Sequence, residues 1–447
     1  MVSSTRDGGG MNRLIRGDVL SFARHYRGEK FHALLCDPPY HLTSRNVVTD
    51  WESMPAGRGK PNITRSKHGF MGKKWDGGDI AFLPDTWAAL AEHLYPGAFG
   101  MAFASSRGWH RLAVAIENAG MTIHPSIFGW VTGQSFPKAT RIRGNDNFNG
   151  HRYGLQSLKN SLEPVIVFQK PYEGKPIESI VKYGSGSLNI DGARISSAPY
   201  RINTWDDGSK PFGGGAGHPF SGREVNGRWP ANFILVHSSL DGKDGCDESC
   251  PVRLLGEQSG TRSSRGAITE HSRDKSTVNF SNGHIEWSGY NDSGGASRFF
   301  YNSDWNAEVE EQLYLANPVL YQSKASRVER EAGLDRDETT VNDGRKKSID
   351  NAYQRGETKR KNSHPTVKPI SLNRWLATLL LPPQAYAPRR ILIPFCGSGS
   401  EAIGALLSGW EYIVGVEGEQ EYIDIGKERL KYWSEKEVKD TQLELVL

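Results

Sequence analysis

A chain of 447 residues is too long for one small core and suits a large catalytic domain with insertions, or two to three domains. With 55 Lys and Arg against 51 Asp and Glu, charge is nearly balanced, so any nucleic-acid surface must come from local clustering rather than from the overall field. Fifty glycines and 23 prolines in a chain 37% hydrophobic imply long loops around a compact core, and four cysteines, Cys36 and Cys396 in apolar strand-like contexts, exclude a disulfide scaffold and point to a reducing compartment.

Residues 1–11 read as a disordered leader, polar and glycine-rich. No signal-peptide run and no stretch of membrane-spanning length is visible, so a cytoplasmic protein with no membrane contact is expected. Leu14-Ile15 reads as a short strand, Gly17-Asp18 as its turn, 19–25 as a helix and Ala33-Leu34-Leu35-Cys36 as a buried strand. Asp37-Pro38-Pro39-Tyr40 then ends the ladder, because each proline lacks an N–H and fixes φ. The result is a rigid loop at a strand's carboxyl end, where open α/β sheets bind ligands. One carboxylate, fixed backbone carbonyls and a ring face suit a planar, amino-bearing substrate such as a nucleobase.

The stretch 41–76 carries seven basic residues (Arg45, Arg58, Lys60, Arg65, Lys67, Lys73, Lys74) against Asp50, Glu52 and Asp76. A loop this long beside a candidate site reads as a lid or binding segment, with a solvated linker as the bland alternative. Further on, the pattern predicts a helix over 82–95 stopped by Tyr95-Pro96-Gly97, a buried strand over 98–104, a helix over 109–119, and strands over 123–131 and 164–168. Alternation of this kind argues for a doubly wound, mostly parallel sheet whose last strands run antiparallel.

Between 171 and 361 the rhythm is lost to glycine runs and isolated aromatics, which reads as an irregular insert. Its end, 345–361, has seven basic residues against Asp350 and Glu357, fitting a phosphate-contacting segment or a solvated loop. Regular structure returns with a helix over 371–381, a strand over 390–395, a glycine loop, a helix over 401–408 and a strand over 412–417. The loop Phe395-Cys396-Gly397-Ser398-Gly399 lets a ligand touch backbone N–H groups near a helix N-terminus. Position 402 is alanine and no Walker lysine follows, so a dinucleotide or nucleoside triphosphate is disfavoured. Glu417, 22 residues after Phe395, stands where such folds place a carboxylate on ribose hydroxyls, and together these suggest an adenosine ligand without a pyrophosphate.

The pairing of Asp37-Pro38-Pro39-Tyr40 with Phe395-x-Gly397-x-Gly399 resembles the S-adenosylmethionine-dependent DNA amino-methyltransferases, in the order of the permuted beta class. Further stretches resemble phage and prophage members: 69–76, 227–232, 297–301, 324–327 and 364–369. The resemblance spans most of 12–433. It implies a Rossmann-like α/β fold with a circularly permuted seven-stranded sheet. The catalytic half would occupy 12–170, the target-recognition insert 171–361, and the cofactor-binding half 362–447. It implies that Asp37 and the Pro38 carbonyl accept hydrogen bonds from the target amine, with Pro39 completing the rigid motif and Tyr40 stacking on a flipped base. Phe395, Gly397 and Gly399 would line the cofactor, Glu417 would hold its ribose and Asp18 its adenine, with Thr366 and Lys368 near its methionine end. Where the family has Asp-Pro-Phe, the aspartate holding the cofactor's ammonium, this chain has Ile393-Pro394-Phe395.

The implied reaction is methyl transfer to adenine N6 in double-stranded DNA. Asp-Pro-Pro-Tyr is commoner for adenine and Ser-Pro-Pro-Tyr for cytosine, so cytosine N4 is the alternative. A degenerate, non-catalytic DNA-binding fold is the further alternative raised by Ile393. Methylation at cytosine carbon 5 would need a cysteine nucleophile in a Pro-Cys pair, and the sequence has none. A homodimer and a restriction partner both stay open. His237, Cys246 and Cys250, with His271, have loose zinc-like spacing, and two ordinary thiols in a loop are expected instead of a metal site.

Overall fold

The computed structural model describes residues 12–40, 79–131, 139–142, 144–154, 157–158, 160–195, 200–205, 220–225, 227–236, 250–263, 292–303, 325, 327–341 and 358–444. The leader 1–11, the basic loop 41–76 and residues 345–357 of the basic segment lie outside them. The chain forms two compact units, one of residues up to Asn189 and from Asp304 onward, the other Ile190–Ser303.

In the first unit, β1 (Arg13–Arg16) turns at Gly17 into α1 (Val19–His25), and the Asp18 carboxylate caps that helix by accepting the Ser21 N–H at 2.9 Å. β2 (Phe31–Cys36) is buried at every position, as a strand with neighbours on both edges and cover on both faces must be. There follow α2 (Pro84–Ala91), β3 (Leu94–Phe103), α3 (Trp109–Asn118), β4 (Thr122–Ile123), β5 (Phe128–Val131) and β6 (Leu162–Gln169). After the second unit come α4 (Ile370–Leu380), β7 (Arg390–Pro394), α5 (Ser400–Leu407), β8 (Tyr412–Glu417) and α6 (Gln420–Glu444).

Within this unit the strand order is β1-β8-β7-β2-β3-β6-β5, with β4 also pairing β6. The first five strands are mutually parallel and β6 pairs antiparallel with β3, β4 and β5, so the sheet is mostly parallel and doubly wound. The C-terminal strands β7 and β8 enter between β1 and β2. One core cluster joins Val19, Phe31, Leu34, Trp87, Leu90, Leu112, Ile116 and Phe168, and each such side chain contributes about 1.5–3 kcal/mol on burial. The Trp87 indole N–H is satisfied by the Ala81 carbonyl at 2.9 Å.

Two expected elements differ. The helix expected over 82–95 ends at Ala91, and β3 runs straight through Tyr95-Pro96-Gly97. The ladder partners jump from Phe31↔Leu94 to Ala33↔Phe99, so residues 95–98 bulge opposite His32, which tolerates Pro96 and a Gly97 at φ +80°. The strand expected over 123–131 is two strands, because Pro125 has no N–H to continue the ladder.

In the second unit, the hairpin Tyr200–Trp205 with Phe220–Val225 is antiparallel, and Phe233–Val236 runs parallel to Tyr301–Ser303. Buried Arg228 pairs with Asp292 and donates to the Arg298 carbonyl, and both arginines lie over the Phe299 ring. The stretches 227–232 and 297–301 therefore meet. Among the described residues no helix is long and apolar enough to cross a membrane.

Candidate active site

β2 and β7 are parallel neighbours, with Ile391 opposite Ala33 and Leu392 opposite Leu34. Their outgoing loops, Asp37-Pro38-Pro39-Tyr40 and Phe395-Cys396-Gly397-Ser398-Gly399, consequently leave the same edge of the sheet side by side, although they lie at opposite ends of the chain. This is the carboxyl edge at which open α/β sheets bind ligands. Both loops line a cavity of about 280 Å³, together with Asp18, Thr366, Lys368, Glu401 and Glu417. Of the expected site residues only Gly399 is set back from its wall.

At one end of the cavity, Lys368 is 1% exposed and its ammonium lies 2.5 Å from Asp37 Oδ2. It also donates to the Tyr40 hydroxyl at 3.0 Å and sits over the Tyr40 and Phe103 rings at 5.1 and 5.0 Å. Burial pulls this amine's pKa down, but Asp37, Glu163 and Glu401 outweigh it and the net shift is upward, so Lys368 is a charged strut. The Tyr40 phenol is pushed well up by burial and then by Asp37. One Asp37 oxygen is thus committed to Lys368. The other, Oδ1, is buried and has no hydrogen-bond partner among the described residues.

Beside the Asp37 loop, the turn after β7 is held by unusual backbone. Gly397 has φ +48°, and a Cβ there would stand 2.8 Å from His364 Nε2; Gly399 has φ +83° where the chain enters α5. Phe395 also adopts positive φ, at 60°, a conformation costing a bulky residue about 1–3 kcal/mol, and the backbone strain lies on the cavity wall. Glu417 accepts the Gly397 and Glu419 N–H groups, both at 3.0 Å, while burial still raises its carboxyl pKa. Buried Arg429 donates to the Ser398 carbonyl at 2.6 Å, and Asn362 donates to the Ser398 hydroxyl at 3.2 Å. Asn362 also reaches the Arg330 carbonyl, while Arg330 donates to the His364 carbonyl and the Ile370 N–H donates to the Glu329 carboxylate. The short helix Arg327–Glu331 thereby fastens the 362–370 segment, and with it Thr366 and Lys368, to the glycine loop.

Sequence reasoning missed two features here. One is the pairing of Lys368 with Asp37, since nothing local connects residues at opposite ends of a chain. The other is Glu401, 4% exposed in the first turn of α5 and on the cavity wall. Burial and then the neighbouring charge of Asp37 push its carboxyl up to about 7. An acid in a first helical turn is commonplace, so the sequence signal was only its position two residues after Gly399. Cys250 is buried, just before the helix Pro251–Ser259 of the second unit, while His237, Cys246 and His271 lie outside the described residues.

The first unit thus defines the chain as an α/β protein with an open, mostly parallel sheet and a ligand cavity at its carboxyl edge. No family model matches the chain, and no curated protein does. Similar solved structures include the M1.HpyAVI–SAM complex, at 10% identity and TM-score 0.35 over 94% of this chain and 99% of that one. PvuII DNA methyltransferase (cytosine-N4-specific) matches at 11% identity and TM-score 0.39, over 94% of this chain and 86% of that one. TTHA0409, a putative DNA modification methylase from Thermus thermophilus complexed with S-adenosyl-L-methionine, matches at 11% identity and TM-score 0.32, over 94% and 95%.

Proposed function

We propose that the chain is an S-adenosylmethionine-dependent methyltransferase acting on an exocyclic amino group in double-stranded DNA, with adenine N6 as the target. The observation that carries this reading is Asp37 Oδ1, a buried acceptor with no partner among the described residues, on a cavity whose wall also carries a glycine loop backed by Glu417. An acceptor left unsatisfied in a buried site costs about 1–3 kcal/mol, and a donor on the substrate relieves that cost.

The cavity's chemistry fits the cofactor. Positive-φ glycines let an adenosine approach the backbone, the Glu417 carboxylate suits vicinal hydroxyls, and Asp18 lines the same cavity. When bound, S-adenosylmethionine supplies a methyl group on a sulfonium, activated for direct displacement. The remaining work falls to the chain. Asp37 Oδ1 and the Pro38 carbonyl accept the two amino hydrogens, drawing the nitrogen lone pair out of the ring and toward the methyl carbon. Asp37 Oδ1 would hold the departing amino proton as the base nitrogen takes the methyl group that the bound cofactor would supply. No covalent enzyme intermediate is needed. Tyr40, braced by Lys368, offers its ring to the base, which must leave the helix to enter.

The second unit serves as the target-recognition module in this reading. Its Trp229 is 62% exposed and lies 5.7 Å from the guanidinium of Arg194, a side chain 6% exposed and itself paired with Asp191, so the exposed indole is the group suited to stacking on a base. Incubation with mixed-sequence DNA and methyl-labelled cofactor, followed by nucleoside mass spectrometry, tests the reading. Labelled N6-methyladenine is expected. Labelled N4-methylcytosine would transfer the reading to the cytosine enzyme, and an absence of labelled nucleosides would leave the degenerate DNA-binding fold.

A further inference from the structure

Five carboxylates line the cavity: Asp18, Asp37, Glu401, Glu417 and Glu419. Three have their commitments. Asp18 caps α1, Asp37 is paired with Lys368, and Glu417 takes the Gly397 and Glu419 N–H groups. Glu419 is exposed to solvent. Glu401 differs from all four, because it is 4% exposed and forms no ion pair with any described lysine or arginine.

Its surroundings do not explain it. The two nearest cations are themselves committed. Lys368 is bound to Asp37 and Tyr40, and Arg429 donates to the Ser398 carbonyl and to the Ser398 and Ser400 hydroxyls. Burial raises the Cys36 and Cys396 thiols, Asp37 and Glu417 respectively raise them further, and Glu401 adds to both, so its charge gains nothing from these neighbours. A buried carboxylate without a cation is costly in a folded protein, and its persistence on a cavity wall points to a cation arriving with the ligand.

From this we infer that Glu401 is the carboxylate that receives the α-ammonium of the cofactor's amino-acid moiety. The inference rests on the cofactor reading above and adds to it the residue that distinguishes the amino-acid end of the ligand from its adenosine end. Ligand connectivity supports the placement. The sulfonium must lie beside Asp37 for transfer to occur, and the ammonium is three carbons from the sulfur, so it belongs at the Asp37 end of the cavity. Glu401 shares the cavity wall with Asp37 and Lys368, close enough that Asp37 raises its carboxyl pKa and Lys368 lowers it, while Glu401 in turn helps to keep Lys368 charged. The assignment also accounts for Ile393, which is fully buried within β7 and is not on the cavity wall.

The test is calorimetric titration of the full chain and its Glu401→Gln variant with three probes: S-adenosylmethionine, S-adenosylhomocysteine and 5′-methylthioadenosine. The first two carry the ammonium, and the third keeps the adenosine without the amino acid. The variant should bind the first two about 10- to 100-fold more weakly, the loss expected for a charge-assisted contact, and bind methylthioadenosine within about twofold of wild type. Equal weakening for all three would mean a structural role and overturn the inference, as would undiminished affinity for the first two. A second measurement needs no variant. Wild type should prefer S-adenosylhomocysteine by at least about tenfold over its analogue with hydrogen in place of the amino group. Equal affinity for the two would overturn the inference while leaving the cofactor reading intact, whereas failure of wild type to bind any probe would overturn that reading itself.

Discussion

The loops after β2 and β7 occupy equivalent places at the ends of adjacent parallel strands, yet are built on opposite principles. The first is stiffened by Pro38 and Pro39 and tied down by the Lys368 ion pair. The second bends through Gly397 and Gly399, strains Phe395 and offers backbone N–H groups. The contrast matches two tasks. A loop that must hold an acceptor in one direction against a reacting amine gains from rigidity, and a loop that must let a ligand reach its backbone gains from having no Cβ. The same contrast separates two carboxylates on the cavity wall, Asp37 with its built-in cation and Glu401 without one.

The largest expected break in this division of labour comes from Asp37→Ala. Single-turnover transfer should fall by at least about a thousandfold while cofactor affinity by calorimetry stays within about threefold of wild type. Comparable turnover by the variant would remove Asp37 from its role. Next in size is Lys368→Met, which leaves Asp37 without its cation in a site where the lysine is 1% exposed. Urea denaturation should show a loss of about 3 kcal/mol. An unchanged midpoint would mean that the pair contributes nothing to holding the loop.

Smaller effects are expected on the glycine side. Gly399→Ala forces an alanine to φ +83°, and should cost about 1–2 kcal/mol and weaken cofactor binding more than it slows transfer at saturating cofactor. Glu401 contributes a pH signature. Its folded-state pKa of about 7 lies above the ordinary carboxyl value of 4.5, because burial and Asp37 outweigh Lys368 and Arg429. The folded state therefore binds more protons between those values, and this group's contribution to stability falls as pH rises through that window. Glu401→Gln should accordingly melt higher than ligand-free wild type at pH 8, with the difference shrinking toward pH 5. A variant that melts lower at pH 8 would contradict the buried-charge account. The smallest effect concerns DNA. Deleting 345–361 should weaken binding and flatten its salt dependence, and an unchanged slope would count against phosphate contacts there.

Much of this was legible in the chain. Asp37-Pro38-Pro39-Tyr40 announces itself because an apolar strand cannot continue through two prolines, and the glycine loop with Glu417 beyond it follows from strand–turn–helix spacing. What stayed hidden depends on tertiary contact. Residues 95–98 carry the punctuation of a helix stop, and only pairing with β2 turns them into a bulge. Lys368 sits in a short stretch rich in loop-forming residues, and its partner is 331 positions away. Glu401 looks like an ordinary first-turn acid until burial removes its water.

The central claim is that the two loops form one site, a cofactor half and a base half. Titration calorimetry of wild type and Asp37→Ala with S-adenosylmethionine, run beside transfer assays on the same samples, tests it most directly. One-to-one binding by both proteins with transfer by wild type alone is the predicted result. No binding by wild type at millimolar cofactor, or transfer by both, would contradict it.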